Sequence, residues 1–164
     1  MIRSRDVEIG LFERRTRRPP RDPVNCLLSF LYALIVRDLT AALGIVGLDP
    51  YFGVYHQPRY GRPSLSLDLA EEFRSLVGDS TVLTLLNNGE VNSGHFEQRG
   101  TGVALRPSGR RKVIAAYERR LDSSIRHPVF GYSVTYRRAF ELQGRLFAGL
   151  VMGEFDRYQP LVTR

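Results

Sequence analysis

Cysteine occurs once in this chain, at Cys26, so no internal disulfide can close and no CxxC pair exists for zinc or thiol exchange. A reducing, cytoplasmic setting is the expectation that follows. Lysine also occurs once, at Lys112, among 24 basic residues; every other cation is an arginine. The chain contains no P-loop, no GxSxG elbow and no internal repeat, which removes the usual signatures of nucleotide hydrolysis, serine esterases and solenoids. No apolar run reaches the length of a membrane span, because Arg37 and Asp38 interrupt the longest one, which starts near residue 26. Met1 is followed by Arg3, Arg5 and Asp6 instead of an apolar segment, so neither a signal peptide nor a membrane partner is expected.

What the chain has in excess is positive charge. Its 24 basic and 17 acidic residues leave a net charge of +7 on 164 residues, a length that suits one domain with a real core. A basic domain of this kind points to a polyanionic partner, with DNA or RNA ahead of an anionic membrane. Arginine presents a planar fork that matches phosphate bidentately. The cations gather in two places. The first is the stretch RRTRRPPRD, with Arg17, Arg18 and Arg21, where prolines forbid a helix and the choice is between phosphate contact and a solvated tail. The second is Arg110, Arg111 and Lys112 at the start of an amphipathic segment, which suits a DNA backbone unless the charges form a solvated face with Glu118 and Asp122.

The apolar spacing predicts a mainly α fold, a helical bundle with one short β-hairpin. Asp22 and Pro23 read as the N-cap and first residue of a helix over 23–43 whose apolar residues cover most of its circumference, making it the central helix; Asn25 in its first turn needs buried partners. Further helices are expected over 66–76, 80–88, 110–123 and 134–152, with Gly78-Asp79 as a break between the second and third. Residues 94–98 and 102–105 read as the hairpin, and HPVFGYS before the last helix reads as a connector. His95 is expected to be exposed and His127 to be structural. Residues 1–21 read as a basic, poorly structured segment and 22–164 as one helical domain.

Residues 47–74, GLDPYFGVYHQPRYGRPSLSLDLAEEFR, organise the rest. A long connection with three prolines carries His56, four aromatics and the arginines Arg59 and Arg62. Aromatics beside arginine suit DNA ends and splayed bases; they also suit a loop anchored to the core. The helix that follows places Asp68 and Glu71 at i, i+3 on one face, with Arg74 a turn further on. A neutral imidazole converging with hard carboxylate oxygens would suit Mn²⁺ or Mg²⁺. On spacing alone a helical DxxEE is usually the solvated face of a helix.

These blocks, RRPPRDPVN, LLSFLYALI, GLDPYFGVYH and GRPSLSLDLAEEFR, occur in an order and spacing that resemble the C-terminal helical domain of the CRISPR-associated spacer-acquisition integrase. The tail blocks AYERRLD, HPVFGY and GEFDRYQPLVTR resemble the form fused behind a CRISPR-associated exonuclease. The resemblance implies a DNA endonuclease and integrase that uses Mn²⁺ or Mg²⁺ to insert spacer DNA by transesterification. It implies His56 and Glu71 as catalytic metal ligands with Asp68 in support, and Arg17, Arg18, Arg21, Arg59, Arg62, Arg74, Arg110, Arg111 and Lys112 as DNA contacts. The implied partners are prespacer and repeat DNA, a small nuclease-like dimer and a second copy of the chain. The family's first ligand, a glutamate on an upstream helix, would by family spacing precede Met1, since Glu8 and Glu13 stand too close to RRPP; the N-terminal dimerising lobe would precede it too. The alternative expectation is therefore a non-catalytic DNA-binding or assembly remnant of the same protein.

Overall fold

The structure, a computed structural model, describes Phe12 and residues 14–162, so Glu8 and Glu13 lie outside the described residues. The fold is mainly α, as the apolar spacing predicts. Its elements are α1 (Pro23–Val46), α2 (Ser64–Phe73), a π-helical turn (Arg74–Asp79), α3 (Ser80–Asn87), β1 (Phe96–Arg99), β2 (Gly102–Leu105), α4 (Pro107–Asp122), β3 (Ser124–Arg126), β4 (Ser133–Thr135) and α5 (Tyr136–Val151). The described residues divide into two compact units, one of those up to 33 with 77–120 and one of 34–76 with those from 121 onward.

In the first unit the N-terminal half of α1 is fixed by its cap. Asp22 Oδ1 accepts the Asn25 N–H at 2.8 Å. Asn25 is fully buried, and its amide is the hub of the entering segment: it donates to Arg14 O at 2.8 Å and accepts from Thr16 N and from Arg15 Nη1 at 2.9 and 2.7 Å. Arg15 continues to Ser29 and lies 5.5 Å from the Tyr32 ring centre. This is how a buried amide becomes tolerable, with its donors and acceptors all met. The expected hairpin forms as β1–β2, pairing Phe96 with Leu105, and the Val103 N–H reaches Pro20 O at 2.8 Å. Leu27, Leu31, Val77, Leu85, Val113 and Tyr117 are fully buried in this unit. Cys26 is buried among them, and burial pushes its thiol up, away from reactivity. His95 is half-buried, its Nδ1 accepting the Asn92 N–H in a one-turn 3₁₀ cap.

No break occurs at Gly78-Asp79. Gly78 is buried inside the π-helical turn, Asp79 stays helical, and Ser80, which the sequence offered as the cap, is the first residue of α3. The Asp79 carboxylate takes the Tyr32 hydroxyl at 2.6 Å, a tertiary bond made from within the continuous helix.

In the second unit the C-terminal half of α1 buries Ile35, Leu39 and Leu43 completely. Thr40 Oγ1 meets Ser66 Oγ at 2.9 Å, and Phe73 packs edge-on to Phe140 at 4.5 Å. The segment read as a connector is the loop between two short strands that its flanks form, an antiparallel pair β3–β4 with Ile125 opposite Val134. Three-residue strands are too short for alternation to show in sequence. As a whole, α1 has 24 residues and is long and apolar enough to cross a membrane by length and composition, which no single apolar run suggested. Its buried leucines and its Arg37–Asp38 pair mark it as a core helix.

Candidate metal and nucleic-acid site

The site is built entirely within the second unit. The chain leaves α1 at Gly47, and Pro50 O takes the Leu65 N–H at 2.9 Å, tying the loop to the first turn of α2. At Gly53 the backbone comes so close that a Cβ would stand 2.5 Å from His56 O and 2.6 Å from Ser64 Cβ. Only glycine fits without moving backbone. The loop then curls over Asp68. Asp68 Oδ2 accepts the N–H groups of Val54 and Tyr55 at 2.6 and 3.1 Å, and Oδ1 accepts the His56 N–H at 3.0 Å. The His56 ring closes the set, with Nδ1 2.5 Å from Oδ1.

Four donors fill the acceptor positions of one carboxylate. Burial pushes the Asp68 carboxyl up, but the His56 ring and the three backbone N–H groups outweigh it and hold it below the ordinary carboxylate range. The carboxylate also decides the imidazole. An acceptor at Nδ1 keeps the proton there and leaves the Nε2 lone pair bare. His56 retains 28% of its side-chain exposure while Asp68 keeps 7%, so the ring edge is reachable and its support is not.

Glu71 sits one turn beyond Asp68, half-exposed, and its carboxylate is held by Arg74 Nη1 at 2.6 Å. The structure thus brings His56 and Asp68 into contact, while Glu71 pairs with Arg74. Among the described residues no three His, Cys, Asp or Glu side chains are grouped closely enough to hold a metal ion. A bare imidazole nitrogen and an accessible carboxylate suit Mn²⁺ or Mg²⁺ in kind; in number they fall short.

The aromatics of the loop face outward. Tyr51, Phe52, Tyr55 and Tyr60 are all exposed, Tyr60 completely, so they do not anchor the loop. With Asp49, Pro58, Arg59 and Gly61, three of them line an open cleft of about 440 Å³. Of the arginines here, Arg59 is exposed and Arg62 and Arg74 are half-buried. In the first unit Arg17, Arg18, Arg21, Arg110, Arg111 and Lys112 are all exposed, the first three on the segment before α1 and the others in the first two turns of α4.

Two residues of this region escaped the sequence reading. Gly53 has no sequence signal beyond being a glycine in a loop. Glu72 had one: it follows Leu65 and Leu69 at seven and three residues, on the apolar stripe of α2, and its carboxylate is indeed turned inward against Gln143, Tyr158 and Leu161.

The chain has a mainly helical fold, a carboxylate-oriented histidine, an adjacent acidic helix and exposed arginines. Residues 7–119 match the family described as CRISPR associated protein Cas1, and the chain belongs to that family. It is 51% identical over 166 residues to a "CRISPR-associated exonuclease Cas4/endonuclease Cas1 fusion" of Geobacter sulfurreducens, a match covering 100% of this chain and 30% of that relative. A Cas1 protein of Thermotoga maritima superposes with a TM-score of 0.79 at 28% identity, over 99% of this chain and 48% of that one. A casposase bound to its integration product shares the fold, with a TM-score of 0.83 at 24% identity over 94% of this chain and 47% of the other. The chain therefore spans less than half the length of each of these relatives.

Proposed function

We propose that this chain is the helical, DNA-joining part of a CRISPR-adaptation integrase, acting by transesterification on prespacer and repeat DNA in the cytoplasm. The observation that carries the reading is the Asp68 clamp: one carboxylate fixes the loop, the ring and the tautomer of His56 together. In this reading His56 Nε2 and Glu71 would hold the divalent ion, Mn²⁺ or Mg²⁺, with Arg74 releasing Glu71 when the ion takes over its charge. Asp68 acts behind the histidine as its orienting partner. Such an ion, when bound, lowers the pKa of an attacking 3′-hydroxyl and stabilises charge at phosphorus. Arg59, Arg62 and the cations of the first unit hold phosphates, a sequence-independent role. Tyr51, Phe52 and Tyr60 offer faces on which unpaired bases stack. Partners in this reading are DNA, a Cas2-type dimer and a second copy of the chain.

The short ligand count supports a second reading, a DNA-binding or assembly module without chemistry of its own. One experiment separates the two. The chain replaces the matching segment of the Geobacter relative, and Mn²⁺-dependent strand transfer is followed on labelled repeat DNA. The first reading expects transfer that His56→Ala and Glu71→Ala each reduce at least a hundredfold. Transfer that survives His56→Ala contradicts it, and DNA binding without transfer supports the second.

A further inference from the structure

A buried polar cluster lies behind the acidic helix, and the site described above does not use it. Glu72 takes three donors: Tyr158 Oη at 2.6 Å, Gln143 Nε2 at 2.7 Å and the Leu161 N–H at 2.7 Å. Gln143 is fully buried on α5; its Nε2 also donates to the Tyr158 hydroxyl at 2.6 Å, and its Oε1 stands 3.1 Å from Nε2 of the fully buried His127. Two of the three donors to Glu72 come from the segment after α5. That segment turns back at Gly153, and the Glu154 N–H bonds Gly149 O at 2.8 Å. Phe155 lies on Gly149, where a Cβ would stand 2.5 Å from its ring. Tyr158 stacks edge-on to Phe147 at 6.0 Å, and Leu161 is buried at 3% exposure. Between these points the segment has no regular structure, and Asp156, Arg157, Gln159 and Pro160 are exposed. It is a strap pinned by a few side chains, and its polar lock is on α2, one residue from Glu71.

We propose that residues 153–162 are a strap that sets the position of the acidic helix through Glu72, making Glu72 and Tyr158 positioning residues for the Asp68–His56 clamp and for Glu71. The chemical logic is directional. Burial and the Glu72 charge both push the Tyr158 hydroxyl up, so it remains a protonated donor to that carboxylate. Glu72 is turned inward and held by three donors, two of them on the strap, so a released strap leaves its carboxylate turned inward with Gln143 as its one remaining donor of the three. The helix then has reason to rotate Glu72 toward water. On a helix Glu71 and Asp68 turn with it, one residue and one turn away. The effect on catalysis rests on the proposed integrase reading; the mechanical coupling does not.

Hydrogen exchange on the full 164-residue chain tests the coupling directly, comparing wild type with Tyr158→Phe, which removes one hydroxyl, and Glu72→Gln, which removes the charge. The expected result is exchange faster by roughly tenfold or more in residues 155–162, in α2 and in loop 54–57, with the β1–β2 hairpin unchanged. Tyr158→Phe serves alone if Glu72→Gln fails to fold. Faster exchange in the strap with α2 unaltered overturns the proposal, and so does faster exchange throughout the chain, which marks a structural role only. In the Geobacter chimera, Tyr158→Phe is expected to lower kcat for strand transfer about tenfold with KM for DNA unchanged, in the range usual for residues orienting metal ligands. An unchanged kcat, or a change in KM alone, overturns the positioning role. A chimera inactive with every wild-type residue in place indicts the integrase reading and leaves the exchange result standing.

Discussion

Asp68→Asn changes one atom and removes a charge, and its consequences follow from the clamp. Asp68 accepts four donors, two on each oxygen. An amide has one acceptor oxygen and one NH₂. If the NH₂ faces Val54 and Tyr55, two backbone N–H groups lose their acceptor. If it faces His56, the backbone N–H there is orphaned and the ring must present a bare Nδ1 to the new donor. The first orientation loses two bonds, the second loses one and reverses another, and none that remains is charge-assisted. Each charge-assisted bond is worth about 1.5–3 kcal/mol when buried, but the loop amides are exposed and water compensates, so about 2 kcal/mol is the expected loss. For a chain of this size that lowers Tm by roughly 4–8 °C. The sharper readout is the tautomer. Long-range ¹H–¹⁵N spectra of His56 at pH 8 should show the proton on Nδ1 in the wild type and on Nε2 in Asp68→Asn when the amide faces the ring. A wild-type His56 protonated on Nε2 would refute the reasoning, because the clamp would then not be what bares the ligand nitrogen. The sign with pH is fixed too. The folded carboxyl sits below its ordinary value of 3.8, so its contribution is complete at neutral pH and fades as pH falls through that value. The stability gap between wild type and Asp68→Asn should close in acid.

His127 is fully buried, and burial holds it below its ordinary value of 6.5 against the pull of Gln143. The unfolded chain therefore takes up a proton first as pH falls below that value, and Tm should drop between pH 7.5 and pH 5 by a margin that His127→Asn removes; equal pH dependence in both proteins would count against it. Phe140 is 2% exposed and edge-on to Phe73, so Phe140→Ala should cost about 3–5 kcal/mol in urea unfolding, and a cost under about 1 kcal/mol would show that this core collapses freely. Fluorescence anisotropy with duplex DNA should show salt-dependent affinity, and reversing charge at Arg110, Arg111 and Lys112 should flatten the salt slope; an unchanged slope would remove α4 from the interface.

How much of this was legible in the sequence depended on the length over which a signal accumulates. Helix α1 announced itself through Asp22, Pro23 and eight apolar residues, and it runs on through Gly44 to Val46 because packing overrides a single glycine. The β1–β2 hairpin was marked by its turn residues, whereas β3–β4 has strands of three residues and leaves no period to read. At the site, the helical spacing gave Asp68 and Glu71 as neighbours on α2. It could not say that Asp68 turns toward the loop while Glu71 meets Arg74, since both lie within one turn and the choice is made by where residues 54–56 fold. Glu72 was grouped with the other acids because a carboxylate on an apolar stripe looks like the edge of a charged face until its partners, 71 to 89 residues away, are known.

The central claim, that His56 and Glu71 form one side of a divalent-ion centre, is tested most directly by titrating Mn²⁺ into the ¹⁵N,¹³C-labelled chain and following paramagnetic broadening. The account predicts weak binding, because two side chains leave most of the coordination sphere to water. It predicts that the His56 ring and the Glu71 side chain broaden first, and that His56→Ala abolishes the early broadening at Glu71. Broadening centred on other carboxylates and indifferent to His56→Ala would contradict it.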